Sequence, residues 1–166
     1  MEQLGRRNDG LGQRRGGDEE LGDFQILLID DRPSDAKLFQ HAMEQAATRA
    51  KLYWVATAED GLEFLRREGR FTGVGRPKLV VSDLNMPGMD GFQFLTEARN
   101  NPAFAAIPIV IFSSSRSPRD VLRCYQLGAN SYIAKPMSLE TFVAAIATLV
   151  RYWLDIVELP DPRLVD

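Results

Sequence analysis

The stretch Val80-Val81-Ser82-Asp83-Leu84-Asn85-Met86-Pro87-Gly88-Met89-Asp90-Gly91 decides the fold. An apolar run ends on one aspartate and a Pro/Gly turn follows. Asp90-Gly91 then opens an amphipathic pattern with Phe92, Leu95 and Ala98 on one face. The reading is strand, loop, helix, with a carboxylate at the C-terminal edge of a buried strand, where open α/β sheets bind ligands. Taken alone, the run is also an ordinary strand–loop–helix joint. Three features set it apart: Asp30 and Asp31 end an earlier apolar run, Ser113 ends a later one, and Lys135-Pro136 ends the last.

The same alternation extends outward from that stretch. Ile26–Ile29 reads as a first buried strand, followed by a helix with Leu38, Phe39, Ala42, Met43 and Ala46 on one face. Leu52–Ala56 reads as a second strand, and Thr57 with Asp60 forms a capping-box pattern before Leu62, Phe64 and Leu65. Leu79-Val80-Val81 is the third strand. Ile107–Phe112 is the fourth, its Pro108 near the start, where a missing N–H is tolerated. Ser117-Pro118-Arg119-Asp120 supplies an N-cap, a proline at the first helical position and an acid two residues later. Ser131–Ala134 is a short fifth strand. Ser138 then caps a last helix with Leu139, Phe142, Val143, Ile146, Leu149, Val150 and Trp153 on its apolar side.

Five βα units with near-continuous apolar strands predict an α/β fold: a parallel sheet with helices on both faces. Right-handed crossovers leave few topologies, and the expected one is the flavodoxin-like, CheY-like order 2-1-3-4-5. The polar residues at the ends of strands one, three, four and five then converge on one sheet edge.

Bulk properties narrow the function classes. The chain has 166 residues, 45% hydrophobic and 26% charged, which suits one domain with a sizeable core. Its net charge of −3 argues against nonspecific nucleic-acid binding, and no direct DNA binding is expected. A single cysteine, Cys124, excludes an intrachain disulfide and a CxxC metal site. No apolar stretch reaches the ~18 residues of a membrane span, and no signal core opens the chain, so a cytoplasmic protein is expected. Residues 1–23 hold six of the 13 glycines and the pairs Arg6-Arg7 and Arg14-Arg15, the composition of a flexible tail. Residues 24–155 form the expected domain, and 156–166 a C-terminal extension. His41 has no partner pattern and reads as structural, and residues 67–77 read as a plain loop.

Asp30, Asp31 and Asp83 would crowd three carboxylates together. Two unit charges ~4 Å apart repel by about 4 kcal/mol at an effective dielectric of ~20. A hard divalent cation with oxygen ligands removes that conflict, and Mg²⁺ suits carboxylates with several retained waters. Lys135 adds a positive charge and Ser113 a hydroxyl at the same edge.

In this combination the sequence resembles the receiver domain of bacterial two-component response regulators. The motifs are the double acid after strand one, the Asp followed by Met-Pro-x-Met-Asp-Gly, the hydroxyl residue, and Lys-Pro. The spacings from Asp83 to Ser113 and from Ser113 to Lys135 also match. The resemblance implies that Asp83 accepts a phosphoryl group from a histidine kinase. It implies that Asp31 binds Mg²⁺ directly and Asp30 largely through water, with the Asn85 backbone carbonyl completing the metal site. Ser113 matches the switch hydroxyl, Lys135 the phosphate-pairing lysine and Tyr132 the aromatic switch, which turns inward as Ser113 moves. Lys135-Pro136 matches a bond that is usually cis in the family. The chain would catalyse only its own phosphorylation and dephosphorylation.

With little chain after the last helix, a single-domain regulator is expected, acting through protein contacts or passing its phosphoryl group onward in a phosphorelay. The C-terminal residues Trp153, Val157, Leu159 and Pro160 resemble the tail of small regulators paired with bacterial phytochrome kinases. That resemblance implies a homodimer through the last strand, helix and tail, with Trp153, Leu154, Ile156, Val157 and Leu159 in the interface. The alternative is a tail that packs back on its own sheet edge. Three rival functions fit less well. A flavin-binding flavodoxin needs a hydroxyl- and Gly-rich phosphate loop after strand one, where Asp30-Asp31-Arg32-Pro33 would repel phosphate. A haloacid-dehalogenase-type phosphatase needs Asp-x-Asp, but Asp83-Leu84-Asn85 puts an amide where the general acid–base belongs. A receiver-like module that binds without phosphorylation would lack site residues, and none is missing.

Overall fold

The computed structural model describes residues 24–161 and Leu164. The segment 1–23, read above as a flexible tail, lies outside the described residues. Five strands, β1 (Gln25–Ile29), β2 (Lys51–Val55), β3 (Leu79–Ser82), β4 (Ile109–Ser113) and β5 (Ser131–Ala134), form one sheet in the order β2-β1-β3-β4-β5. Every pairing is parallel. The helices are α1 (Pro33–Gln45), α2 (Ala58–Arg66), α3 (Gly91–Asn100), α4 (Pro118–Gln126) and α5 (Leu139–Arg151). Strand bounds shift by a residue or two from the expectation. Pro108 falls just outside β4, where its carbonyl accepts from Val80 N.

Successive strand residues point to opposite faces, so each strand serves two cores. Leu27, Ile29, Val80, Ile109 and Ile111 pack with Leu62, Phe64, Phe94, Leu95 and Cys124 under α2, α3 and α4. Ile26, Leu28, Val81, Val110 and Phe112 pack with Phe39, Met43, Phe142, Ile146 and Val150 under α1 and α5. Leu139, expected on the apolar side of α5, is instead 63% exposed, because it stands in the first turn, at the rim of the sheet.

Local signals set the helix starts. Asp90 accepts from Gln93 N while the Gln93 side chain accepts from Asp90 N, a full capping box. Thr57 accepts from Asp60 N, and Ser138 accepts from Thr141 N. At α4, Ser117 at the cap position, Pro118 and Asp120 stand as expected, but the Ser117 side chain makes no cap bond. Ser115 Oγ instead accepts from Ser117 N and donates to Asp120 Oδ2 at 2.6 Å. The loop path carries Ser115, not Ser117, over the helix start.

Arg99, at the end of α3, fastens two connections, α3–β4 and α4–β5. Its guanidinium donates to the carbonyls of Phe104, Ile107 and Gly128 and to Asn130 Oδ1, which also accepts from Ile109 N. After α5 the chain makes one π-helical turn, Tyr152–Ile156, closed by Val157 N on Tyr152 O, and then runs extended. Trp153, Leu154 and Leu159 pack partly on the α1/α5 core, whereas Ile156 is 71% exposed. Leu159 and Pro160 border a small cavity of about 50 Å³ with Pro77, Lys78, Ile107 and Pro108, below the N-terminal ends of β3 and β4.

Candidate functional site

Register brings the sequence-distant residues together. Ile29 pairs with Ser82, so Asp30 and Asp83 leave the sheet side by side. Ser113 pairs with Ala134, and Lys135 N donates to Ser113 O at 2.7 Å. Gly91 lets α3 start tight against this edge: a Cβ there would meet the Asp83 carbonyl oxygen and stand 2.7 Å from Leu84 Cα. Asp30, Asp83, Ser113 and Lys135 are all buried, and Asp31 is half-buried.

Lys135 Nζ is the hub. It donates to Asp30 Oδ2 at 2.7 Å, Asp35 Oδ2 at 2.8 Å and Asp83 Oδ2 at 3.0 Å. The remaining oxygens are mostly bound too: Asp30 Oδ1 accepts from Arg32 N and Asp83 Oδ1 from Leu84 N. Burial works against the Lys135 ammonium, but the bonds to Asp30 and Asp35 and the charges of Asp83 and Asp30 outweigh it. The lysine is held above its ordinary range and stays charged. Burial pushes the Asp30 carboxyl up, with Lys135 pulling it back.

Charge balance and geometry both fit a cation. Three carboxylates, Asp30, Asp35 and Asp83, share one buried ammonium, and Asp31 adds a fourth negative charge beside Asp30 and Asp83. Asp30, Asp31 and Asp83 each place an oxygen within 4.8 Å of the others. Asp31 Oδ1 is buried with no hydrogen-bond partner, and an unpaired buried carboxylate oxygen is costly unless something positive meets it. The donor set is all hard oxygen, which suits a divalent ion of the Mg²⁺ or Mn²⁺ kind. Asn85, two residues beyond Asp83, is exposed.

Around the hydroxyl residue a second network forms. Ser113 Oγ accepts from Ser115 N at 3.2 Å, and the Ser115 carbonyl accepts from the Tyr132 hydroxyl at 2.7 Å. Tyr132 N in turn donates to the Tyr125 hydroxyl. Burial raises the Tyr132 phenol above its ordinary value. Tyr132, matched above to the aromatic switch, is here bonded to the β4–α4 loop.

A response regulator receiver domain model matches residues 26–147. The chain belongs to the response regulator receiver family. Among relatives, the response regulator Rcp1 of Synechocystis sp. is 30% identical over 135 residues, 81% of this receiver and 92% of Rcp1. The phosphorylated cyanobacterial phytochrome response regulator RcpA superposes with a TM-score of 0.79 at 30% identity, over 83% of this chain and 99% of its own. The Mn²⁺-bound form of Rcp1 gives 0.78 at 30% identity over the same shares. The receiver is thus a two-component signalling domain of the kind that works with a histidine kinase, and its acidic pocket is the place where receiver domains bind a divalent metal. Among the described residues no helix is long and apolar enough to cross a membrane.

The structure departs from the expectation at Lys135-Pro136, since no described peptide bond is cis. The trans form is the lower-energy isomer of X–Pro bonds by about 0.5–1 kcal/mol. Asp35 and Arg116, whose guanidinium donates to the Lys135 carbonyl at 3.1 Å, were not foreseen at the site. The one available signal for Asp35 was an acid in the first turn after a strand that ends in acids.

Proposed function

We propose that this receiver accepts a phosphoryl group from a histidine kinase onto Asp83 and signals through the β4–α4 loop and β5. Asp83 is the one site carboxylate that both ends a central strand and faces Lys135 from the third-strand position of the receiver motif, and that placement carries the reading. Asp30, Asp31, Asp83 and the Asn85 carbonyl would hold Mg²⁺. When bound, the ion supplies positive charge against the phosphoryl oxygens.

The residues account for the transfer. A carboxylate oxygen of Asp83 forms the new O–P bond as the N–P bond of the donor phosphohistidine breaks. The electron pair of that bond stays on the imidazole nitrogen. Phosphoryl transfer rests on positioning and charge neutralisation, and Lys135, held charged, meets the equatorial oxygens. Hydrolysis ends the phosphorylated state: a water oxygen bonds the phosphorus as the Asp83 O–P bond breaks, inorganic phosphate leaves and the carboxylate returns, so the chain would catalyse only its own phosphorylation and dephosphorylation. The new acyl phosphate adds about two negative charges and draws Ser113 toward it. Ser115 passes the change on, since its amide bonds Ser113 and its carbonyl bonds Tyr132.

The proposal extends to partners and organisation. The phytochrome-linked relatives support a bacterial phytochrome as the kinase. Residues 24–155 act as the receiver body. Residues 156–166, with Trp153 and Leu154, act as the arm of a homodimer.

Mg²⁺ with a small phosphodonor tests the core of this reading by intact-mass measurement. One added phosphoryl group is expected on the wild-type chain and none on Asp83→Asn. Labelling of Asp83→Asn at the wild-type rate would assign the chemistry to another residue.

A further inference from the structure

Lys135 has a partner that the phosphoryl-transfer reading leaves unused. Asp35 Oδ2 lies 2.8 Å from Nζ, and this is the hydrogen bond the Asp35 side chain makes. Asp35 does not belong to the oxygens that could share a cation, which are those of Asp30, Asp31 and Asp83. It borders a recess of about 430 Å³ beside the site, with Arg32, Arg116 and Ser138 also on its wall. The ammonium is therefore held between a sheet-end carboxylate on one side, Asp83, and a helix carboxylate at the recess, Asp35.

A lysine stem is flexible, and its ammonium is a point charge with no fixed direction. Of its three carboxylate partners, two have other work. Asp30 shares its charge with any cation in the pocket. Asp83 changes identity when it is phosphorylated. Asp35 alone stays a plain carboxylate throughout, on the rigid first turn of α1 behind Pro33.

We propose that Asp35 is a positioning residue: its carboxylate holds the Lys135 ammonium beside Asp83 while the cation and the donor come and go. This rests on the reading of Asp83 as phosphoacceptor. The plainer role for an acid at this place is compensation of the helix dipole. The two roles differ in what they couple to. A dipole role acts without Lys135, and a positioning role vanishes with it.

The experiment measures the rate of phosphoryl uptake from acetyl phosphate with saturating Mg²⁺, by intact mass. Four chains are compared: wild type, Asp35→Asn, Lys135→Met and the double variant. Asp35→Ser serves as a second probe of the site, and thermal melting checks that each variant folds. Asp35→Asn is expected to slow uptake about tenfold in the wild-type background and to change nothing further in Lys135→Met. Metal affinity, followed by titration without donor, is expected to stay within about twofold of wild type. Asp35→Glu is expected to restore most of the rate. A wild-type rate in both Asp35→Asn and Asp35→Ser overturns the proposal, as does an equal loss with and without Lys135. A tenfold loss of metal affinity overturns it too, by making Asp35 part of the metal site. If the wild-type chain takes no phosphoryl group at Asp83, the functional reading falls and this one with it. If it does and the Asp35 variants match it, only this one falls.

Discussion

The Tyr132 hydroxyl donates a 2.7 Å hydrogen bond to the Ser115 carbonyl, two residues beyond Ser113. Ser115 closes the connection by donating its own amide to Ser113 Oγ. Strand β5 and the Ser113 hydroxyl are thereby joined by two hydrogen bonds through one residue. Tyr132→Phe keeps the ring packing and removes only the outer bond, which typically contributes about 1 kcal/mol. The variant should take up phosphoryl at Asp83 at close to the wild-type rate. Its phosphorylation-induced NMR shifts should persist at β1 and β3 and shrink at α4 and β5. A full set of α4 shifts in Tyr132→Phe would show that the signal does not run through this hydroxyl.

Trp54, half-exposed at the end of β2, donates its indole N–H to the Asp30 carbonyl at 2.8 Å. An ion entering beside Asp30 and Asp31 changes the field at that indole. Trp153 is the other tryptophan of the chain. In a Trp153→Phe background, titration with Mg²⁺ should therefore change emission with a single binding curve. Asp31→Asn should weaken the affinity by about tenfold or more, and Asp30→Asn by less, because Asp31 Oδ1 is the buried oxygen without a partner and Asp30 is already tied to Lys135. Equal affinities in all three chains would place the ion elsewhere.

The fold was legible because local and long-range signals agree. Apolar strands such as Leu79–Ser82 are buried on both faces, and helix starts such as Asp90 with Gln93 carry their own caps. Asp30, Asp83, Ser113 and Lys135 were legible as polar residues at the ends of apolar runs, a place where burial demands a reason. Asp35 was not, because an acid in the first turn of a helix is ordinary and nothing in the sequence tells how far Lys135 will reach. Arg99 carried no signal in the sequence, because its four acceptors come from loops whose approach depends on the finished packing. Ser115 and Ser117 are equivalent on paper, and only the path of the loop decides which hydroxyl meets Asp120.

Cys124 is fully buried under α4, and burial, with the charge of Asp120 adding, pushes its thiol up from 9.0 to about 11. Native-state alkylation should thus be slow at pH 8, since the thiolate is the reactive form. The same shift fixes the sign of a pH effect on stability. Between pH 9 and about 11 the unfolded chain releases the thiol proton while the folded chain keeps it, so stability falls as pH rises through that window and the fall stops above it. The raised Tyr132 and Lys135 act in the same direction, so the readout is the difference between wild type and Cys124→Ala. Denaturant melts should show the wild type losing up to about 3 kcal/mol more than the variant across the window. Parallel curves would mean that α4 admits water to the thiol.

The tail divides the residues expected at a dimer interface into two groups. Trp153, Leu154 and Leu159 pack partly on their own core, and Leu159 with Pro160 tucks beneath β3 and β4. Ile156 stands out at 71% exposed, next to Tyr152 at 50%. An apolar side chain so exposed at the end of a helix is a candidate for burial by a second copy, which in a C₂ dimer would cover the same patch on both subunits. The two groups should respond differently to charge. Ile156→Asp should leave the melting temperature nearly unchanged and shift the chain from dimer to monomer in sedimentation velocity at micromolar concentration. Leu159→Asp should cost stability, by about 1–3 kcal/mol, whatever the assembly state, because it strips apolar contact from its own fold. Both variants should still take up phosphoryl at Asp83, which lies at the opposite, C-terminal edge of the sheet. If the full chain sediments only as a monomer, with and without phosphodonor, the tail serves its own subunit and the arm proposal fails.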